Sequence, residues 1–140
     1  MDEYLIGVVQ EQDGDKIIFE WNNRGLKLQG VHLHLLPLKQ KIRLYIYFYQ
    51  RLPISEYFAF LNQDTKNYFL ALIKINYIGP KLSLRILNAF SLLELQQIII
   101  EENVQALVKV KGVTKRLAIV IIEQFKNIFF QQSNLFNKKN

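Results

Sequence analysis

The hydrophobic residues of this chain change period once, near residue 61, and that change constrains the fold more than any other feature. Before it, apolar and polar residues alternate in short runs, the period of half-buried strands. After it, apolar residues recur at helical spacing. A sheet and a helical bundle bury their faces differently, so each half needs its own core. The 140 residues suffice for two small domains. The expected organisation is a barrel domain over 1–61, a helical domain over 62–130 and a flexible polar tail over 131–140.

Five runs make up the first half. Residues 4–10 are apolar with β-branched members, and Asp13-Gly14 marks a hairpin before the run 16–21. Asn22-Asn23-Arg24-Gly25 reads as a second turn leading into 26–31. The loop 35–40 has room for one helical turn. Residues 41–49 alternate, with Leu44, Ile46 and Phe48 on one face and Tyr45, Tyr47 and Tyr49 on the other. Pro53 sits in a short turn before the last run, 54–60. Five short strands in so few residues imply a small closed or half-closed barrel.

The second half reads as five helices. Asn62 or Asp64 can cap the first, which runs to about Ile75 with Phe69, Leu72 and Ile73 on one stripe. Pro80 fits the first turn of a helix ending at Ala89. Ser91 and Glu94 have capping-box spacing for a third, reaching Glu101. A short helix over 104–109 and a longer one from about Thr114 to Phe130 complete the set.

Charge separates the halves too. Residues 1–60 carry seven Lys/Arg and seven Asp/Glu, while residues 61–140 carry eleven and five and hold the whole net charge of +6. Such asymmetry points the second half toward a polyanion. The chain contains no cysteine, which excludes disulfide scaffolds, zinc fingers, iron–sulfur clusters and thiol catalysis. With half its residues hydrophobic it is not a disordered chain. Its longest apolar runs, 98–100 and 117–122, fall far short of the roughly 20 residues of a membrane span. The opening Met1-Asp2-Glu3 lacks the basic and apolar regions of a signal peptide, so the expected location is the cytoplasm.

The helical half repeats itself. Tyr77-Ile78-Gly79-Pro80-Lys81-Leu82-Ser83 returns 35 residues later as Gly112-Val113-Thr114-Lys115-Arg116-Leu117-Ala118. Each copy is a tight turn followed by a helix that opens with basic residues. This resembles the helix-hairpin-helix motif, whose turn reads Gly-hydrophobic-Gly, with a small residue four positions further on; Ser83 and Ala118 hold that small position. Each copy keeps one of the two glycines, with Tyr77 and Thr114 in place of the others. Glycine lets a backbone approach closely, and the first amides of a helix are unpaired at the positive end of its dipole. Lys81, Lys115 and Arg116 stand beside those amides and can reach phosphate oxygens. Such a grip reads no base edge and is sensitive to salt.

The order of parts is similar to that of the RuvA family. The resemblance rests on residues 45–51, Tyr57-Phe58-Ala59-Phe60, Ile78-Gly79-Pro80-Lys81-Leu82 and Ala106-Leu107-Val108-Lys109-Val110-Lys111-Gly112-Val113, and covers about residues 4–127. It implies an α+β protein with an OB-fold barrel followed by two helix-hairpin-helix motifs. It further implies a homotetramer that binds four-way (Holliday) DNA junctions in recombination, repair and the SOS response. Its implied partners are a RuvB-like branch-migration ATPase, which alone uses ATP, and a RuvC-like resolvase. No catalytic residue and no cofactor are implied for the chain itself. The DNA-binding positions carried over are Tyr77, Ile78, Gly79, Pro80 and Lys81, then Gly112, Val113, Thr114, Lys115 and Arg116. The family places an acidic pin between barrel strands four and five. Here Leu52 and Pro53 occupy it, both uncharged, which leaves the loop a steric role. The family's third, motor-contacting domain would begin where this sequence stops.

Other residues have plainer readings. His32 and His34 share a strand face by period two but lack further metal ligands nearby in sequence. Tyr45, Tyr47 and Tyr49 could stack bases, but packing on a neighbouring barrel fits them better. Glu101-Glu102 reads as a solvated helix junction, and Trp21 as a partly buried strand residue. Two alternatives to a junction scaffold remain from the sequence: a helix-hairpin-helix DNA glycosylase or lyase, and a protein-interaction module whose hairpins serve helix packing alone.

Overall fold

A computed structural model describes the backbone of residues 3–139 and the side chains of residues 3–131. The strands are β1 (Tyr4–Asp13), β2 (Lys16–Trp21), β3 (Arg24–Gly30), β4 (Lys41–Arg51) and β5 (Ile54–Phe60). The helices are α1 (Gln63–Ile73), α2 (Pro80–Ala89), α3 (Leu92–Ile100), α4 (Val104–Val108) and α5 (Lys115–Lys139). The chain divides into two compact units, Met1–Tyr68 and Phe69–Asn140. This division falls inside α1, past the change of period, because the start of α1 is tied to the barrel unit. Lys66 Nζ, buried in that unit, donates to Glu3 Oε2 at 3.0 Å.

The strands close into a barrel in the order β1-β2-β3-β5-β4, the OB-fold. Local turns make most of it. Gly14-Asp15 and Asn22-Asn23 are two-residue hairpin loops, and both asparagines take positive φ (53° and 60°) as such turns require. The second turn is therefore shorter than expected, with Arg24 and Gly25 already in β3. β1 also runs beyond residue 10, because its ladder with β2 continues to Asp13 and Lys16 after a bulge between Val9 and Glu11. Closure depends on two non-local pairings, of which the first is β1 antiparallel to β4, from Tyr4–Tyr45 to Val8–Lys41. The second is parallel, β3 with β5 over Leu28–Tyr57, Gln29–Phe58 and Gly30–Ala59. Gly30 permits it: a Cβ there would lie 1.9 Å from the Ala59 carbonyl oxygen.

Leu5, Val9, Ile17, Phe19, Leu28, Leu33, Leu44, Ile46 and Ala59 fill the barrel, and Trp21 packs partly buried against them. Of the expected inward face of β4, Leu44 and Ile46 are buried. Phe48 is half-buried and stacks at a tilt on Tyr57, ring centroids 4.7 Å apart. Tyr45 and Tyr49 are half-buried, with edge contacts to Tyr4 and Phe58.

Two expectations for this unit change. The helical turn lies at Leu33–Leu35, ahead of 35–40, held by Gln12 Nε2, which donates to the Leu33 and Leu36 carbonyls. His32 and His34 consequently do not share a strand. His32 has left-handed φ (57°), His34 lies in the turn, and their rings meet edge-on at 6.1 Å.

In the helices, local signals act as the sequence suggests. Asn62 caps α1, accepting from the Thr65 amide at 2.8 Å. Pro80 opens α2, and Ser91 and Glu94 form a reciprocal capping box on α3. Backbone bonding to Ser91, and then its side chain, hold the exposed Glu94 carboxyl below the usual glutamate range. α5 ends later than expected: the segment 131–139 continues the helix, since it contains neither glycine nor proline. The side chains assigned to the expected tail beyond Gln131, and Asn140, lie outside the described residues. No described helix is long and apolar enough to cross a membrane.

Candidate nucleic-acid interface

The internal repeat is a repeat of hydrogen bonds as well as of residues. In the first hairpin the Ile75 amide donates to Leu72 O, Ile78 to Ile75 O and Ser83 to Gly79 O. In the second, Val110 donates to Leu107 O, Val113 to Val110 O and Ala118 to Thr114 O. Every donor and acceptor is offset by 35 residues. Two unrelated turns would not share such a set.

The side chains at matching positions do matching work. Ile78 and Val113 are buried and pin each turn to the helical core, each contributing roughly 1.5–3 kcal/mol. Ser83 and Ala118 are fully buried at 0% exposure, where small residues let the helices of each hairpin approach closely. Ser83 Oγ donates to Gly79 O at 3.0 Å, so its polar atom is satisfied there.

The helix starts differ in chemistry. Gly79 precedes α2 with extended backbone (φ −97°, ψ −176°), and Pro80, which has no amide hydrogen, takes the first helical position. Thr114 precedes α5, and its Oγ1 accepts from the Leu117 amide at 3.1 Å. Threonine thus replaces the second glycine by capping the helix. The left-handed position that begins each turn is Tyr77 (φ 73°) in the first hairpin and Gly112 (φ 96°) in the second.

Lys81, Lys115 and Arg116 are exposed on the first turns of α2 and α5. Among the described residues the ion pairs are Lys66–Glu3 and Lys126–Glu102, and neither uses a hairpin cation. The repeat offset reveals two further cations that motif reading alone missed. Lys74 and Lys109 occupy equivalent positions before the two turns, and both are exposed. Glu101 and Glu102 are exposed, and Glu102 pairs with Lys126 at 2.8 Å.

Tertiary packing joins the two hairpins. Arg85 Nη1 on α2 donates to the Lys111 carbonyl at 3.2 Å, one residue before Gly112. A Cβ on Gly112 would lie 3.1 Å from both Arg85 Nη1 and Leu82 Cδ1. α2 is therefore the second helix of one hairpin and the brace of the other. Arg85 lies outside the repeated motif and its role depends on that contact, so spacing gave no signal for it. In the barrel, Leu52 and Pro53 form the two-residue β4–β5 turn, joined by a cis peptide and exposed at its tip.

Barrel and hairpins together define a class: an OB-fold followed by a tandem helix-hairpin-helix unit. The SAM-like helix-hairpin-helix tandem family matches residues 69–127. Proteins named Holliday junction branch migration complex subunit RuvA match nearly the whole chain. That of Histophilus somni is 32% identical over 139 residues, 96% of this chain and 68% of the relative. That of Pectobacterium carotovorum is 31% identical over 140 residues (95% and 67%), and that of Acetivibrio thermocellus 28% over 127 (89% and 63%). The chain belongs to the RuvA family. It spans about two thirds of the length of these relatives, from 63% to 68%.

Proposed function

We propose that this chain binds four-way DNA junctions through their phosphate backbones, without reading sequence, as the non-catalytic junction-recognising subunit of a branch-migration complex. The observation that carries the reading is the duplicated hairpin. Two turns with the same hydrogen bonds each present a helix start flanked by exposed cations. Helix N-termini attract phosphate through unpaired amides and the helix dipole, and cations beside them add charge. Tyr77–Lys81 and Gly112–Arg116 are the contact segments. The name its relatives carry supports the junction as the substrate.

The finer parts of the proposal follow the family. The chain acts as a homotetramer in the cytoplasm, with one barrel and one hairpin pair per subunit. A RuvB-like ATPase supplies the motor and uses the ATP, and a RuvC-like resolvase can share the junction. The chain itself takes no cofactor. The exposed tip at Leu52 and Pro53 carries no charge, so it separates strands by bulk rather than by repelling phosphates.

The test is a gel shift comparing a four-way junction with linear duplex of equal length across a salt series. Junction binding well above duplex binding is expected, with affinity falling steeply as salt rises. Equal affinity for the two substrates overturns the reading.

A further inference from the structure

The two hairpins share their hydrogen bonds and differ most at the residue that opens each turn. Position 112 is an exposed glycine, and a Cβ there would press on Leu82 and Arg85 of α2 at 3.1 Å. Position 77 is tyrosine, and its side chain is 93% exposed. Both take the left-handed backbone, at φ 96° and 73°. That conformation costs an L residue free energy that glycine does not lose. Burial of the Tyr77 ring does not offset the cost, since the ring is in solvent.

A large aromatic has therefore been placed where the chain's own second copy uses glycine, with no folded-state gain from burial. Its surroundings are those of a partner-facing surface. Gly79, two residues on, has no heavy atom within 4 Å of where a Cβ would stand, so the backbone there is open to close approach. Lys81, exposed on the first turn of α2, follows at once. Tyrosine hydroxyls are among the groups that commonly bond DNA phosphate oxygens, and they do so without charge.

We propose that Tyr77 is a phosphate-binding side chain of the first hairpin, its phenol O–H donating to a non-bridging phosphate oxygen beside the one held by the turn. This rests on the reading of the hairpins as the DNA-binding surface. It makes the two hairpins unequal: the first adds a neutral hydrogen bond to its amides and Lys81, while the second relies on Lys115, Arg116 and the Thr114-capped helix start.

The experiment uses the full chain and two substitutions, Tyr77→Phe and Tyr77→Gly, with four-way junction binding measured across a salt series and thermal unfolding in parallel. A hydrogen bond to a charged acceptor predicts about tenfold weaker binding for Tyr77→Phe. The salt slope should not change, because a neutral donor releases no counterion. Unfolding of Tyr77→Phe should match the wild type. Tyr77→Gly should bind at least as weakly while its melting temperature stays level or rises, because glycine relieves the left-handed strain. Wild-type affinity in Tyr77→Phe overturns the proposal. So does a fall in melting temperature of Tyr77→Gly, which would make the tyrosine a support of the fold. If the wild-type chain binds no junction, the hairpin reading itself falls; if it binds and Tyr77→Phe binds equally, only the role of Tyr77 falls.

Discussion

Gly112 and Gly79 occupy the first and third positions of the hairpin turn, and alanine should affect them very differently. At Gly112 the backbone has φ 96°, and left-handed backbone costs an L residue about 1–2 kcal/mol. The new methyl would also press on Leu82 Cδ1 and Arg85 Nη1, each at 3.1 Å, where Arg85 is held by its bond to the Lys111 carbonyl. Overpacking of this kind adds about 1 kcal/mol, so Gly112→Ala should destabilise the helical unit by roughly 2–3 kcal/mol. For a unit of this size that lowers its melting temperature by roughly 10 °C or more. At Gly79 the backbone is extended and nothing lies within 4 Å of a Cβ. Alanine gains about 0.4–1 kcal/mol by restricting the unfolded chain and loses a similar amount as a poorer N-cap. Gly79→Ala should leave stability within about 0.5 kcal/mol of wild type. Thermal unfolding of the whole chain can separate the units. Trp21, the single tryptophan, reports on the barrel, and far-ultraviolet dichroism is dominated by the helices. Only the helical signal should move in Gly112→Ala. An unchanged helical midpoint, or a larger loss in Gly79→Ala, would refute the assignment of strain to position 112.

Other perturbations test other parts. Replacing Lys81, Lys115 and Arg116 together by alanine should weaken junction binding and flatten its salt slope by about 0.9 for each phosphate no longer neutralised; an unchanged slope would put the phosphate sites elsewhere. Arg85→Ala should cost about 1 kcal/mol and shift the amide resonances of Lys111 and Gly112 in NMR spectra, which would stay fixed if the brace were not formed. Glu3→Ala strands the buried Lys66 ammonium and should destabilise the barrel unit by about 1–3 kcal/mol, whereas Lys66→Met should be near neutral; the reverse order in urea unfolding would deny the pair its role. Because the Glu94 carboxyl is held below its usual range, its stabilising effect is present above the unfolded-state pKa and lost as pH falls through the folded one. Acid unfolding should therefore show a contribution that Glu94→Gln abolishes, and an identical acid transition in the variant would contradict it.

The elements read correctly from sequence were those with local causes. β5 (Ile54–Phe60) and α2 (Pro80–Ala89) have the expected bounds, because a tight turn, a proline at a first helical position and a change of period act within a few residues. The Ser91–Glu94 box acts across one helical turn. The errors had two sources, a distant partner in the barrel and a local stop signal that is missing after α5. Gln12 draws the 3₁₀ turn forward to Leu33 and takes His32 and His34 off a strand. The helix expected to end at Phe130 continues because nothing in the following residues stops it.

The sequence by itself determined the two kinds of core, the turn chemistry, the duplicated hairpin and the cations beside each helix start. All of these follow from residue period and identity over short spans, where propensity and capping act. Only the tertiary structure decided how the barrel closes, since the parallel pairing of β3 with β5 joins strands far apart in the chain and depends on Gly30 lying against Ala59. Likewise it alone set α2 against the second turn. Arg85 bonds the Lys111 carbonyl and stands with Leu82 where a Cβ on the exposed Gly112 would lie, and that brace depends on packing between helices rather than on the turn's own residues.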